Sequence, residues 1–341
     1  MMSAALSFVL PDELNASMPP ERRGIRRDYV KMMVIDKKEG TTSHSHFYKL
    51  DHYLQEGDVL VLNASRTIPA VLKGNLADGT VIEVRLAHKK SDQNWEALIL
   101  ADEVKNGDTI HFSPVLSATV VTAATDSPFS LLAFNLCCTA LYDQIYQIGQ
   151  PVRYEYIETP WDLDYYQTVF ATSPGSVEMP SAGRAFSWEL LFRLQKKGVR
   201  IEYVELHTGL SYLMDDKWHL EPRENLEEYS IPEKTAAAVR QAKSNGHKVI
   251  AVGTTVVRAL ESAVDTKGHL KAARGWTNLY ITGTTKLQVA DGLITGLHEP
   301  EASHLDLLSA FVPVQHLHVS YKEAIGQKYF WHEFGDMNLI I

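Results

Sequence analysis

Cysteine is almost absent: the 341 residues include two, adjacent at Cys137 and Cys138. Neighbouring thiols offer neither a disulfide framework nor the spacing of a structural zinc site, so a reducing compartment fits and the fold rests on its core. No apolar run approaches the roughly 20 residues that span a bilayer, and Met1 to Pro11 lacks the basic start and apolar centre of a signal peptide. The expectation is a cytoplasmic protein with no membrane partner. A phosphate-binding loop, a dinucleotide glycine fingerprint, internal repeats and low-complexity segments are also missing, which removes the function classes those patterns mark. Basic residues are outnumbered, 33 against 42 acidic, and the net charge of -9 excludes broad non-specific nucleic-acid binding while leaving room for a local basic patch.

With 45% hydrophobic and 22% charged residues, the chain can bury a full core and is long enough for two or three domains. Lys31 to Ile35 is a short apolar run that predicts a buried strand. From Gly57 onward seven short strands follow with turns and no helix between them: Val59–Leu62, Ala70–Leu72, Val81–Leu86, Trp95–Leu100, Thr109–Phe112, Ser117–Val121 and Ser130–Phe134. Such a run predicts a small barrel or sandwich. A helical period returns near Leu136 to Ile148, with Leu141, Ile145 and Ile148 on one face. Beyond it the chain alternates: helix over Phe186–Lys197, strand over Val199–Leu206, helix over Pro232–Ser244, strand over His247–Val252, and a helix opened by Gly253-Thr254-Thr255. The fold class is therefore an α/β domain, residues 1–64 and 152–341, with an inserted small all-β barrel-like domain over 65–151.

The candidate ligand seat is Pro174 to Phe186. Its small residues Ser181, Ala182 and Gly183 permit close approach to the backbone, and the N–H groups of the helix that follows suit an anion or carboxylate. The same residues also suit a plain helix start and turn. His207, at a strand end beside Gly209, suits acid, base or hydrogen-bond donor work and equally a core position. Thr254 and Thr255 offer hydroxyls and N–H groups at a helix start. Arg258 and Glu261, three apart on one helix, suit ligand contact or a mutual solvated pair. Arg22, Arg23, Arg26 and Arg27 occupy four of six consecutive positions, suiting solvent or phosphate. His44 and His46 share a strand face without a third ligand nearby, so no metal site is expected.

Taken in order, the motifs resemble the S-adenosylmethionine:tRNA ribosyltransferase-isomerase family of queuosine biosynthesis along nearly the whole chain. They are Leu60-Val-Leu-Asn63 with Arg66 and Ile68-Pro69-Ala70, Tyr166-Gln-Thr-Val169, Pro180 with Ala182-Gly183 and Phe186, Leu206-His207, Ala251 to Thr255 with Val257-Arg258 and Leu260-Glu261-Ser262, Gly275-Trp276-Thr277, His298 with Pro300, Leu308 to Phe311, and Gly335-Asp336. The resemblance implies a transferase that moves and isomerises the ribosyl part of S-adenosylmethionine onto 7-aminomethyl-7-deazaguanine in tRNA. S-adenosylmethionine is then substrate, tRNA is partner, and neither bound cofactor nor metal is needed. It also implies substrate contacts from Ser181, Ala182, Gly183, Gly209, Thr254, Thr255, Arg258, His298 and Asp336. Nucleic-acid contacts would come from Arg22, Arg23, Arg26, Arg27, Asn63 and Arg66, and chemistry from His207 and Glu227.

This chain departs from the family pattern at polar positions. Where Thr-Ala-Gly-Leu-His-Phe is usual it has Ser181-Ala182-Gly183-Arg184-Ala185-Phe186, preceded by Glu178. Where two histidines are usual it has Pro222 and Asn225, with Glu224 between them. These changes leave a second reading open: a divergent paralogue that binds S-adenosylmethionine or a related nucleoside and uses a different acceptor or none.

Overall fold

The computed structural model describes residues 7–341 apart from 102, 212, 214–224 and 301. Strands β1 (Lys31–Asp36), β2 (Thr41–His46) and β3 (Val59–Asn63) open the chain. A short β4 (Ser65–Thr67) leads from β3 into β5 (Val71–Asn75), β6 (Val81–Lys89), β7 (Asn94–Leu100), β8 (Thr109–His111), β9 (Ser117–Thr122) and β10 (Ser130–Phe134). Strands β5 to β10 close into an antiparallel barrel in the order β10-β7-β6-β5-β8-β9, capped by helix α1 (Cys138–Ile148). Closure leaves the barrel without an edge, and alternating residues such as Ile82, Val84 and Leu86 fill its interior. Of the seven expected strands, the first, Val59–Leu62, stands outside the barrel. It lies in the centre of the large sheet because its residues are apolar on both faces and need cover on both.

After α1 the chain returns through β11 (Ser173–Ser176), which pairs in parallel with β4. It then alternates through α2 (Trp188–Lys196), β12 (Arg200–Leu206), β13 (Glu227–Ile231), α3 (Glu233–Ser244), β14 (Val249–Val252), α4 (Thr254–Ser262), β15 (Ala273–Thr277), β16 (Gly292–Gly296), α5 (Ser303–Leu308), α6 (Val314–Gly326) and β17 (Met337–Ile340). Helix α2 starts two residues later than its apolar pattern predicts because the Ser187 hydroxyl accepts from the Leu190 N–H and caps it there. The nine-stranded sheet runs β15-β13-β12-β3-β14-β16-β17-β1-β2, and its middle four strands, β12, β3, β14 and β16, are mutually parallel. Along β3 the side chains alternate between two cores. Val59 and Val61 pack with α3, α4 and α6, while Leu60 and Leu62 pack with α2 and the 47–52 turn.

Where β3 ends and the chain leaves for the barrel, the ladder to β12 would break. Asn63, expected from the resemblance to meet nucleic acid, is instead 3% exposed and extends the ladder with its side chain. Its Nδ2 donates to the Leu206 carbonyl at 2.9 Å, and its Oδ1 accepts from the N–H groups of Leu206 at 3.0 Å and Ser65 at 3.1 Å. A carboxamide is the side chain that presents both a donor and an acceptor, as a peptide does. Asn63→Ala strips partners from buried backbone groups, each worth about 1–3 kcal/mol. We expect a loss of at least about 2 kcal/mol in urea unfolding with an unchanged m-value. A loss within about 0.5 kcal/mol, the range of neutral surface changes, would contradict this role.

Candidate active site

The four parallel strands deliver the chain to one end of the sheet, and a cavity of about 1050 Å³ opens there. Ligand sites of α/β sheets lie at such carboxyl ends, where strands hand over to loops and helix starts. Three of the expected segments meet in its wall: Pro180 to Ala182, Thr208 with Gly209, and Gly253 to Thr255. Gly253 turns β14 into α4 with φ +95°, a conformation that favours glycine, and the first N–H groups of α4 have no acceptor within the helix. Gly209 is required by contact: a Cβ there would stand 2.1 Å from Nε2 of His88 on barrel strand β6. That imidazole is itself held by Glu96 at 3.1 Å and Asn225 at 2.7 Å. The barrel thereby abuts the cavity wall.

Glu227 and Arg258 line the cavity together. Arg258 is not paired with Glu261, as its spacing allowed. Its guanidinium forms an ion pair with Glu227 Oε2 and also donates to the Leu279 carbonyl at 3.1 Å, while Glu261 accepts three backbone N–H groups from Gln288, Val289 and Ala290. Glu227 Oε1 accepts from the Gly209 N–H at 3.3 Å. With donors on both oxygens, Glu227 orients its neighbours more readily than it removes a proton.

The same cavity is lined by carboxyls, phenols and imidazoles that local spacing did not reveal. Glu333 accepts from the Tyr156 hydroxyl, and Glu178 accepts from the Tyr154 hydroxyl at 2.9 Å and from the Ser211 N–H and hydroxyl at 2.7 Å each. The two tyrosine rings stack at 5.8 Å and 17°, and Tyr156 stacks in turn on His332 at 4.2 Å. Burial pushes the Glu333 carboxyl up to about 7; nearby Glu178 and Glu299 add to the rise and the Tyr156 hydrogen bond opposes it. His298 and His304 stack in parallel at 4.6 Å. Burial, then each other's proximity and His332, hold His298 well below the usual imidazole range, while burial and Arg258 hold His304 down to about 4. His304 has open surface, but that surface faces the cavity. His298 bonds to Thr295 at 2.8 Å.

Several expected site residues lie elsewhere. His207 does not line the cavity; its ring covers Gly175 and its Nδ1 meets the Ser65 hydroxyl at 2.8 Å, because the side chain points to the face of the strand end opposite Thr208. Gly183 packs against Phe170 and Thr168, so only Ser181 and Ala182 of that turn reach the cavity. Asp336 is 3% exposed and accepts the N–H groups of Lys31 and Phe330 at 2.7 Å each. Arg66 is exposed over the Tyr146 ring. The arginine run is largely engaged internally: Arg23 donates to the Phe334 carbonyl, Arg26 pairs with Asp28 and Glu189, and Arg27 pairs with Glu21. Arg22 is exposed and lies over Trp161 and Tyr165. Arg184, one of the departures from the pattern, is 2% exposed and bonds Glu21 and the Tyr165 carbonyl at 2.8 Å each, fixing the turn beneath the cavity. Pro222 and Glu224 lie outside the described residues.

The model of the queuosine biosynthesis protein family matches residues 3–340. The chain belongs to this family of S-adenosylmethionine:tRNA ribosyltransferase-isomerases. Among solved structures it is similar to S-adenosylmethionine tRNA ribosyltransferase from Thermotoga maritima, at 28% identity and a TM-score of 0.56, over 98% of this chain and 99% of that one. The chain thus shares the overall fold of that structure on a divergent sequence.

Glu333 gives the site a measurable signature. A carboxyl at 4.5 when unfolded and about 7 when folded binds more protons in the native state between those values. Its contribution to stability is thus fully present below about 4.5 and is lost as pH rises towards 7. Glu333→Gln removes that dependence. The stability of wild type relative to the variant should fall across this window and level off above it; an unchanged difference from pH 4.5 to 7.5 would show that Glu333 titrates normally.

Proposed function

We propose that the protein transfers the ribosyl group of S-adenosylmethionine, with isomerisation, onto the aminomethyl group of a 7-deazaguanine in tRNA, releasing adenine and methionine. The observation that supports this most is the lining of the cavity in a chain of this family. The open N-terminus of α4 and the Arg258–Glu227 pair line the same cavity as the carboxyls of Glu178 and Glu333 and the stacked phenols of Tyr154 and Tyr156. The methionine carboxylate is received by the N–H groups and hydroxyls of Thr254 and Thr255. The sulfonium is attracted by the carboxyls, and the tyrosine and histidine rings offer faces for a base.

Adenine departs with the electron pair of its bond to the ribose and needs a proton on nitrogen to leave as a neutral base. Glu333, hydrogen-bonded and poised near neutral pH, supplies that proton, while Glu227, held by Arg258, orients the ligand. In this reading the catalytic proton transfer lies with Glu333 rather than with His207 or Glu227. A second acceptor class is favoured by Arg184 and Ala185 beneath the cavity and by the internal pairing of the arginine run, which leaves less basic surface for tRNA than the sequence implies.

Adenine release measured with and without tRNA carrying the deazaguanine separates these readings. The proposal predicts tRNA-dependent release that falls as pH rises through about 7, and a loss of roughly 100-fold to 10,000-fold in Glu333→Gln with the alkaline limb abolished. Because the Tyr156 phenol favours the ionised carboxyl, Tyr156→Phe should move that limb to higher pH. Adenosyl-ligand binding without tRNA-dependent release selects the other acceptor, and absence of adenosyl binding overturns both.

A further inference from the structure

Helix α2 presents two neighbouring faces with opposite fates. Glu189, Arg193 and Lys197 are tied to the layer beside them: Glu189 to Arg26 at 3.5 Å, Arg193 to Asp51 at 3.5 Å, and Lys197 to the Asp51 carbonyl at 2.5 Å. Trp188, Phe192 and Lys196 recur every fourth residue and share a face that stands out to solvent. Trp188 and Phe192 are 47% and 61% exposed, and their rings stack on each other at 5.9 Å and 23°. Two large aromatic side chains left in water beside each other are an exposed apolar feature that folding alone does not account for.

The strip continues across the tied face. Tyr29, 46% exposed, stacks on Tyr48 at 4.7 Å, and His46 lies 5.8 Å from the same ring. Cations flank these rings: Arg26 lies over Tyr29 at 5.4 Å and Lys49 over Tyr48 at 5.7 Å, while Arg193 donates to the Tyr48 carbonyl and so joins the two groups of rings. Arg26, Lys49, Arg193, Lys196 and Lys197 share this surface with Asp28, Asp51 and Glu189, a small positive excess beside aromatic rings on a chain of net charge -9.

We propose that this strip docks an unpaired segment of RNA, with bases stacked on Trp188, Phe192 and Tyr29 and phosphates drawn to Lys196 and Lys49. Rings with exposed faces interleaved with cations are the chemistry that single strands and loops use, since every base has a face to stack and every phosphate a charge to neutralise. A second copy of the chain fits less well, because a two-fold contact through this surface would bring like charges together. The strip is also fastened to the cavity. Trp188 lies six residues beyond cavity-lining Ala182, and the intervening chain is pinned by Arg184 to Glu21 at 2.8 Å and by Ser187 to Asp28 at 2.6 Å. This inference rests on the tRNA reading and assigns its RNA-binding surface to α2 and Tyr29.

The test measures binding of a transcribed tRNA and of its anticodon stem-loop to wild type, to Trp188→Ala/Phe192→Ala and to Lys196→Ala across salt concentrations, with a loopless duplex of the same stem as control. Both aromatic positions are exposed and on a helix, where alanine is well tolerated. The double variant should lose about 10-fold to 100-fold in affinity for both looped RNAs with its salt slope unchanged, because stacking releases no counterions. Lys196→Ala should lower the slope by about one. If wild type binds neither RNA, the tRNA reading fails and this inference with it. If wild type binds but the double variant matches it, or if the loopless duplex binds as well as the stem-loop, the inference alone is overturned. The same holds if the double variant changes only the oligomeric state in sedimentation.

Discussion

Everything at the ligand end of the molecule depends on how the chain leaves its central strand. β3 lies between β12 and β14 and must stop at Asn63 so that the barrel can be built. An unsupported exit would leave the Leu206 N–H and carbonyl without partners in a buried ladder, a cost comparable to a sizeable fraction of the stability of a typical domain. Asn63 fills the gap with a carboxamide, and β4 and β11 then form a short parallel stalk from which the barrel is carried. The exit lies at the carboxyl end of the parallel strands. The barrel therefore lies beside the cavity, where His88 packs on Gly209.

The charged groups that line the cavity come from two sources. One is a helix start and an arginine, both supplied locally by the β14–α4 unit and matched by Glu227 from β13. The other is assembled from segments far apart in sequence, Tyr154 and Tyr156 in the return from the barrel and His332 and Glu333 just ahead of the last strand. Burial is what pushes the Glu333 carboxyl up to about 7, and the nearby carboxyls of Glu178 and Glu299 add to the rise. The same enclosure holds His298 and His304 below the usual imidazole range.

How much of this could be read in the sequence follows from the range of each interaction. Strand alternation and turn residues are local, so the barrel and the α/β alternation were legible, as were the small-residue junctions at Ser181, Gly209 and Gly253. Val59–Leu62 heads the run of seven short strands, yet the boundary at residue 65 leaves it in the α/β domain, and its place at the centre of the large sheet is what its pattern alone could not give. Orientation at a strand end was also hidden: His207 and Thr208 are adjacent, yet only Thr208 reaches the cavity. Arg258 and Glu261 looked like natural partners at helical spacing but found stronger ones in Glu227 and the 288–290 backbone. The pairing of Tyr156 with Glu333 joins positions 177 residues apart, and only the fold brings them together. Buried ties such as Asn63 and Asp336 match the family motif as well as a binding residue would, since a motif records which residue is present and not what it touches.

A crystal structure with S-adenosylmethionine or its uncharged thioether analogue decides whether this carboxyl-end cavity holds an adenosyl sulfonium between the α4 start and Glu333. The expected density has the amino-acid carboxylate at the N–H groups of Thr254 and Thr255, with the sulfur and base directed to Tyr154, Tyr156 and Glu333. Density for the ligand at any other surface, or in this cavity with its carboxylate against Glu178 and Glu333, would contradict it.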